Sequence, residues 1–550
     1  MSLRNPKRSV GVVGWMTGFR RARRPPWLVV ALLLVAVASA CDGGSDGGGM
    51  LDAERPPATD AERPPAATEP TGPRPTSGAE AGEEAGTEPG DDPDDLVGVG
   101  DPYFPGLGNA GYDVTHYSLD LAYDPESDVL AGTATIDAEA TAPLDRFHLD
   151  LSGMEVESVT VGDEPAEHER DGEELVVTPA APVRRGREFT TVVSYSGVPE
   201  PKLEESIGFE NGWIESDAGA FVLSEPDGAS TFFPGNDHPS DKATYSFRLT
   251  VPKPLVAVAN GVMTGRSEEG DTATYEWEAR DPMATYLVQV AVGEFVIQEG
   301  TAGDVPLRNV YAASLAEEGA AAAEATAEMI AVFEERFGPY PFEVYGVLVV
   351  DEALGVALET QTLSIFGADI VAFAGEDVGD IGLSTEAIFA HELAHQWFGD
   401  AVSPEQWDDI WLNEGFATYA EWVWQEAADG APIAESARGV YNSLGAGGGA
   451  TIEIGDPGAV GLFDSSVYLR GGLTLHALGV EVGEDVLFEI LTEWVARYEG
   501  EAASTDDFIA VAEEISGQQL DDLFDAWLYT EELPDFPGEP GGSGSGSDEA

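Results

Sequence analysis

The sequence predicts a multidomain α+β protein, an antiparallel β domain followed by a mostly helical one. Three observations predict it. From about residue 101 to 305 apolar residues alternate, as in Tyr117, Leu119, Leu121 and Tyr123, and again in Tyr245, Phe247, Leu249 and Val251. Turn signals such as Asp-Pro, Ser-Gly and Asp-Gly separate these runs, the pattern of half-buried strands. From about residue 306 the period changes to that of helices, and the 550-residue length is too great for one ordinary core.

The elements of the second region, 306–536, follow in order. Residues 315–336, LAEEGAAAAEATAEMIAVFEER, predict one strong helix by propensity, ended by Gly338-Pro339. EVYGVLVV, 343–350, reads as a buried strand. Helices are expected over 384–398, 410–428, 471–480, 485–499, 505–515 and 518–529.

The first hundred residues read differently. Arg4, Lys7, Arg8, Arg20, Arg21, Arg23 and Arg24 precede an apolar run, residues 27–40, that closes on Ala38-Ser39-Ala40. Basic, apolar, then small is the order of a secretory signal, and the run is shorter than the roughly 20 residues a membrane helix needs. The single cysteine, Cys41, follows at once. The junction resembles the lipobox of bacterial lipoproteins, with Ala38 where leucine is common. That resemblance implies a signal peptide over 1–41, lipid on Cys41, and an exported protein anchored to the membrane on its extracellular or periplasmic side. Arg20-Arg21 hints at a twin-arginine export route. Residues 42–100 are rich in Gly, Pro, Glu and Asp and cannot bury enough surface to offset their ordering entropy, so they read as an acidic tether. Residues 537–550 read as a disordered tail.

The chain holds 102 acidic against 26 basic residues, a net charge of −76. Most of the acid belongs to the folded region, since residues 101–550 carry 87 acids and 16 basic residues. A surface suited to high salt and an acidic surface selected for solubility both fit this balance. Nucleic acid is excluded as a partner by the absence of a basic patch. One cysteine excludes an internal disulfide and soft sulfur metal sites.

The chemistry sits in HELAHQWFGD, 391–400. His391 and His395 are four apart, which on a helix puts both imidazoles on one face, ready to share one ion. Ser384 or Thr385 can cap that helix and Gly399 can end it. Glu392 projects beside the pair and can take a proton from a water. Glu414, in WLNEGFATYAEW, has 18 residues between it and His395, enough for a loop and a second antiparallel helix to deliver a carboxylate. Two histidines and a glutamate leave a fourth position for water, the arrangement of one catalytic zinc. Such an ion lowers the pKa of water from 15.7 to about 7.

Segment 391–419 resembles the gluzincin aminopeptidases of the aminopeptidase N type. The similarity extends to DPYFPGLGNAGYDVTHYSLDL (101–121), FFPGNDHPSDKATYSF (232–247), FGPYPFEVYG (337–346) and residues 505–529. It implies a thermolysin-like catalytic domain over 306–536, in a short form without the family's large C-terminal helical domain. It also implies peptide substrates with a free N-terminus. VALET, 356–360, matches the family's GAMEN motif, so Glu359 would hold the substrate's α-ammonium. Val356, Leu358 and Thr360 depart from that motif. Glu225, in LSEPDGAS, stands where the family has a second Gln or Glu anchor, although Ser230 replaces a frequent arginine. Tyr468, in VYLRGG, matches the tyrosine that faces the oxyanion. Arg470 stands where lysine is frequent and takes no role from the resemblance. His116, His148, His168, His238 and His476 read as structural or exposed.

A thermolysin-like endopeptidase would share the zinc chemistry without needing Glu359. One branch of the family hydrolyses epoxides. A surface binding protein on the same fold would not need the full set of His391, Glu392, His395, Glu414 and Tyr468.

Overall fold

The computed structural model describes residues 97–203, 206, 208–216, 219–372, 384–446 and 451–538. The expected signal peptide, Cys41, nearly all of the expected acidic tether and the residues beyond 538 lie outside the described residues.

The alternating runs form an eight-stranded sheet. In order across it stand Val262–Glu269, Thr272–Ala284, Lys242–Pro252, Tyr112–Asp124, Val129–Ala140, Glu188–Gly197, Glu155–Val161 and Glu164–Pro165. Tyr117, Leu119 and Leu121 face the core while their neighbours face outward, as a period of two requires. One pairing departs from the expected antiparallel pattern. Tyr112–Asp124 runs parallel to Lys242–Pro252, in the register Tyr117 to Tyr245 and Leu119 to Phe247. The chain leaves this sheet between the two strands to build a three-stranded and part of a five-stranded sheet, and re-enters from the same end. The parallel register stacks Tyr117 on Tyr245 with centroids 4.9 Å apart. The five-stranded sheet packs on the larger one through contacts such as Tyr123 against Trp213, 5.1 Å. Its strand Gly219–Leu223 leads straight into Ser224-Glu225.

A further sheet straddles the boundary expected at residue 305, ordered Phe295–Ala302, Val305–Ala312, Val347–Val349, Ser364–Phe366 and Ala357–Leu358. Ala357–Leu358 is the edge strand, and Glu359 follows it. The helix expected over 315–336 divides into Ala316–Ala322 and Thr326–Phe337. Propensity favours one rod, but the two parts pack on different partners. Gly319 lies so close to Tyr311 that a β-carbon there would stand 2.6 Å from its ring. The second helix instead buries Met329, Ile330, Phe333 and Phe337.

The motif helix is Thr385–Ala394, with Ser384 accepting from the Ala387 amide, and Gly399 turns the chain at φ +121°. Phe389 stacks on Phe366 at 4.0 Å and fixes this helix to the sheet. The helix expected over 471–480 begins earlier and spans Ser465–Val482, capped by Asp464. Gly471 and Gly472, at the start of the expected span, lie mid-helix. A β-carbon on Gly471 would stand 2.6 Å from Gly415 Cα, so glycine is what lets this helix cross Trp411–Asp429 backbone to backbone.

The β region reaches the catalytic elements at several points. Asp101 accepts from the Trp407 amide at 2.8 Å and pairs with His238 at 3.3 Å. Lys242 donates to the carbonyls of Asp400 (2.7 Å) and Ala401 (3.0 Å), just beyond the motif helix. Asn260 donates to Gln361 O at 2.6 Å, and the Gly261 amide to Thr362 Oγ1 at 2.8 Å, beside Glu359.

Candidate active site

The motif helix presents His391 and His395 one turn apart, with ring centroids separated by 4.7 Å. Trp411–Asp429 delivers Glu414 opposite them. Its Oε2 lies 3.1 Å from His391 Nε2 and 3.6 Å from His395 Nε2. One donor atom from each of these three residues falls within 4.8 Å of the others.

The far nitrogen of each ring is committed elsewhere. His391 Nδ1 is 2.7 Å from Glu421 Oε1, and His395 Nδ1 is 3.0 Å from Phe398 O. Both acceptors take a proton from Nδ1, so Nε2 is the atom that each ring turns toward Glu414 and would offer to a metal. Burial lowers the affinity of His391 for a proton, but the carboxylates of Glu414 and Glu421 outweigh it and raise its pKa well above the usual value. The same balance brings His395 to about 9, and the imidazoles hold Glu414 down at about 2 against the opposing effect of burial. Surroundings that demand this much positive charge suit a dication where two nitrogens and a carboxylate oxygen converge. The donor set fits zinc.

The remaining predicted residues gather at the same centre. Glu359, Glu392 and His395 offer atoms within 4.8 Å of one another, and so do Glu225, Glu359 and Glu414. Glu225 comes from the β region, Glu359 from beside the edge strand and Glu392 from the motif helix, so three separate segments supply the carboxylates. Glu225 Oε1, Glu359 Oε1 and Glu392 Oε2 are buried and have no hydrogen-bond partner. Burial pushes all three carboxyls up, Glu392 to about 8. Tyr468, on Ser465–Val482, lays its ring parallel to His391, with centroids 5.9 Å apart and 21° between planes. Burial, reinforced by the nearby carboxylates, raises its phenol well above the usual value.

Three features of the site were not legible as functional residues. Glu421 lies seven residues, two helical turns, beyond Glu414 on the same buried face, and that spacing was the available signal. Gln396 donates to Glu359 O at 2.9 Å and Asp400 Oδ2 at 2.7 Å, while its carbonyl accepts from the Thr362 amide at 2.8 Å. It ties the motif helix to the Glu359 segment. The Gly415–Gly471 contact sets the distance between the helices of Glu414 and Tyr468. No sequence pattern marks the last two, because both depend on which segments meet.

Residues 114–287 match the Peptidase M1 N-terminal domain, and residues 321–527 match the Peptidase family M1 domain. A variant M1 zinc metallopeptidase from Deinococcus radiodurans, solved with a Tyr-Ser-Ala substrate, is 33% identical. That likeness covers 80% of this chain and 99% of the other, at a TM-score of 0.74. A two-domain M1 zinc metallopeptidase variant bound to L-arginine is also 33% identical, covering 80% of this chain and 100% of that one, at 0.73. Aminopeptidase M1-D from Oryza sativa subsp. japonica is 28% identical over 76% of this chain and 50% of its own length. Aminopeptidase N from Streptomyces lividans is 29% identical over 58% of this chain and 38% of its own length. The chain thus spans about half the length, or less, of the curated relatives it matches. With both halves matched in order and a whole two-domain neighbour superposed at 33% identity, the chain belongs to peptidase family M1.

Proposed function

We propose that this protein is a zinc-dependent aminopeptidase, removing residues from the free amino end of peptides. The observation that carries the reading is the convergence of Glu225, Glu359 and Glu414 within 4.8 Å, with buried, unpartnered oxygens on Glu225 and Glu359. Two orphaned carboxylates beside a zinc site need a cation, and a peptide's α-ammonium is a cation that also places the first peptide bond at the metal. An endopeptidase has no use for that pair. The neighbours solved with a Tyr-Ser-Ala substrate, L-arginine or L-tryptophan, and the aminopeptidase names of the curated relatives, support the same reading.

His391, His395 and Glu414 would hold one zinc ion. When bound, zinc polarises the scissile carbonyl and lowers the pKa of the attacking water. Glu359 and Glu225 pair with the α-ammonium and set how far the chain end enters. Glu392, buried and unpartnered at Oε2, takes the proton of the attacking water and delivers it to the leaving amine. The Tyr468 hydroxyl keeps its proton, because burial raises its pKa, and donates to the oxygen that gains charge.

The test is hydrolysis of alanyl and leucyl amide reporters beside their N-acetylated forms, with and without chelator. Cleavage of the free amines alone, lost with chelator, is the expected result. Equal cleavage of both forms sinks the exopeptidase assignment.

Export and lipid anchoring through Cys41 are part of the proposal, supported by the basic, apolar and small segments that precede the sole cysteine. Labelled palmitate should enter the native chain in a bacterial host and not the Cys41→Ser chain. Labelling of both would remove the anchor from the proposal.

A further inference from the structure

Arg470 stands two residues beyond Tyr468 and is fully buried at 0% exposure. Its N–H groups meet carbonyl and hydroxyl oxygens. Nε donates to Trp527 O at 2.7 Å, and one terminal nitrogen donates to Thr451 Oγ1 at 2.5 Å and Ile452 O at 3.4 Å. The other donates to Ala526 O (3.0 Å), Thr530 Oγ1 (3.0 Å) and Glu532 O (3.5 Å). Two of these carbonyls belong to the last turn of the helix Asp521–Leu528, where no further amide along the helix reaches them. The guanidinium therefore closes three segments into one knot: the loop at 451–452, the end of the last helix with residues 530–532 after it, and the helix of Tyr468. The two outer segments are also joined directly, Thr451 N to Glu531 O at 2.9 Å and Gly455 N to Leu528 O at 3.0 Å.

A buried cation hydrogen-bonded to neutral dipoles is costly, and burial lowers its pKa to about 10 against the opposing charge of Glu453. The geometry indicates what that cost secures. Residues two apart on a helix point about 200° apart around its axis. Tyr468 faces His391, so Arg470 faces the opposite side, and a rigid fork fixed there sets the rotation of the turn that carries the tyrosine. Gly471, one residue on, bears on Gly415 and sets the depth of the same turn.

We propose that Arg470 is a positioning residue for the reaction: by locking the first turns of Ser465–Val482 to the C-terminal segment 526–532, it fixes where the Tyr468 hydroxyl meets the oxyanion. The inference rests on the aminopeptidase reading and on the donor role of Tyr468 within it. Arg470→Lys keeps the charge but cannot span acceptors on three segments. Its kcat should fall about ten- to a hundredfold, the loss expected for a misplacement near 1 Å, with KM and zinc content unchanged.

The decisive measurement is a cycle with Tyr468→Phe. If Arg470 acts through the hydroxyl, Arg470→Lys lowers kcat in the native chain and has little further effect once that hydroxyl is gone. An equal fractional loss in both backgrounds overturns the proposal, since a general structural role does not depend on the hydroxyl. So does an unchanged kcat in Arg470→Lys. Full activity of Tyr468→Phe also overturns it, while zinc-dependent cleavage of free-amine reporters would leave the aminopeptidase reading standing. Thr530→Val, which removes one acceptor, carries the same cycle if Arg470→Lys fails to fold.

Discussion

Gly415→Ala tests how the helix crossing builds the site. A β-carbon at Gly415 would stand 2.7 Å from Gly471 Cα and 2.8 Å from its carbonyl carbon. Ordinary carbon contacts lie near 3.5–4.0 Å, so the two helices must separate by about 1 Å. Both neighbours are backbone, and no side chain can rotate away. Overpacking of this kind costs roughly 1–3 kcal/mol of stability. The same displacement carries Tyr468 away from Glu414 and His391, and a misplacement near 1 Å costs on the order of a hundredfold in rate. The variant should therefore lose one to two decades in kcat on an alanyl amide reporter, retain zinc by elemental analysis, and melt several degrees lower. Gly445→Ala is the control. It changes an exposed helical glycine with nothing within 4 Å of the added carbon, and should be neutral or slightly stabilising. Native kcat and melting temperature in Gly415→Ala would refute the argument that this contact sets the geometry.

Two further substitutions probe the groups behind the site. Glu421→Gln weakens the carboxylate that orients His391 through Nδ1, so the apparent zinc Kd should rise about 10- to 100-fold in chelator competition, and unchanged affinity would remove Glu421 from the metal's support. Gln396→Glu removes the donors to Glu359 O and Asp400 and brings a second carboxyl to Asp400. Stability should fall by on the order of 2–4 kcal/mol in urea unfolding, and KM for free-amine substrates should rise. An unchanged midpoint and KM would show that Gln396 does not hold the Glu359 segment.

The division into β and helical regions was legible because hydrophobic period is local: Tyr117, Leu119 and Leu121 alternate whatever they pack against. His391, Glu392 and His395 were legible for the same reason, since a helix fixes their relation within one turn. Glu414 was reached by its spacing from His395 and the need for a third ligand, Glu359, Glu225 and Tyr468 by resemblance, and the structure brings all four to the two histidines. The misreadings share one cause. The helix expected to begin at residue 471 begins at Ser465, and Gly471 inside it admits another backbone, a contact partner 56 residues away. The helix of 315–336 divides between Ala322 and Thr326, where the first part packs through Gly319 on Tyr311 and the second buries its own apolar face, a difference of partners that propensity does not contain. The parallel pairing of Tyr112–Asp124 with Lys242–Pro252 likewise depends on where the chain re-enters its sheet.

By itself, then, the sequence determined the order of the two regions, the helix bearing the histidines, and the acidity of the chain, because each is set by composition or by spacing within one element. Only the tertiary structure decided that carboxylates from three segments share one cluster, that Glu421 and Phe398 fix the histidine tautomers, and that two glycines and a buried arginine set the place of Tyr468. Those relations depend on contacts between residues far apart in the chain, and packing alone establishes them.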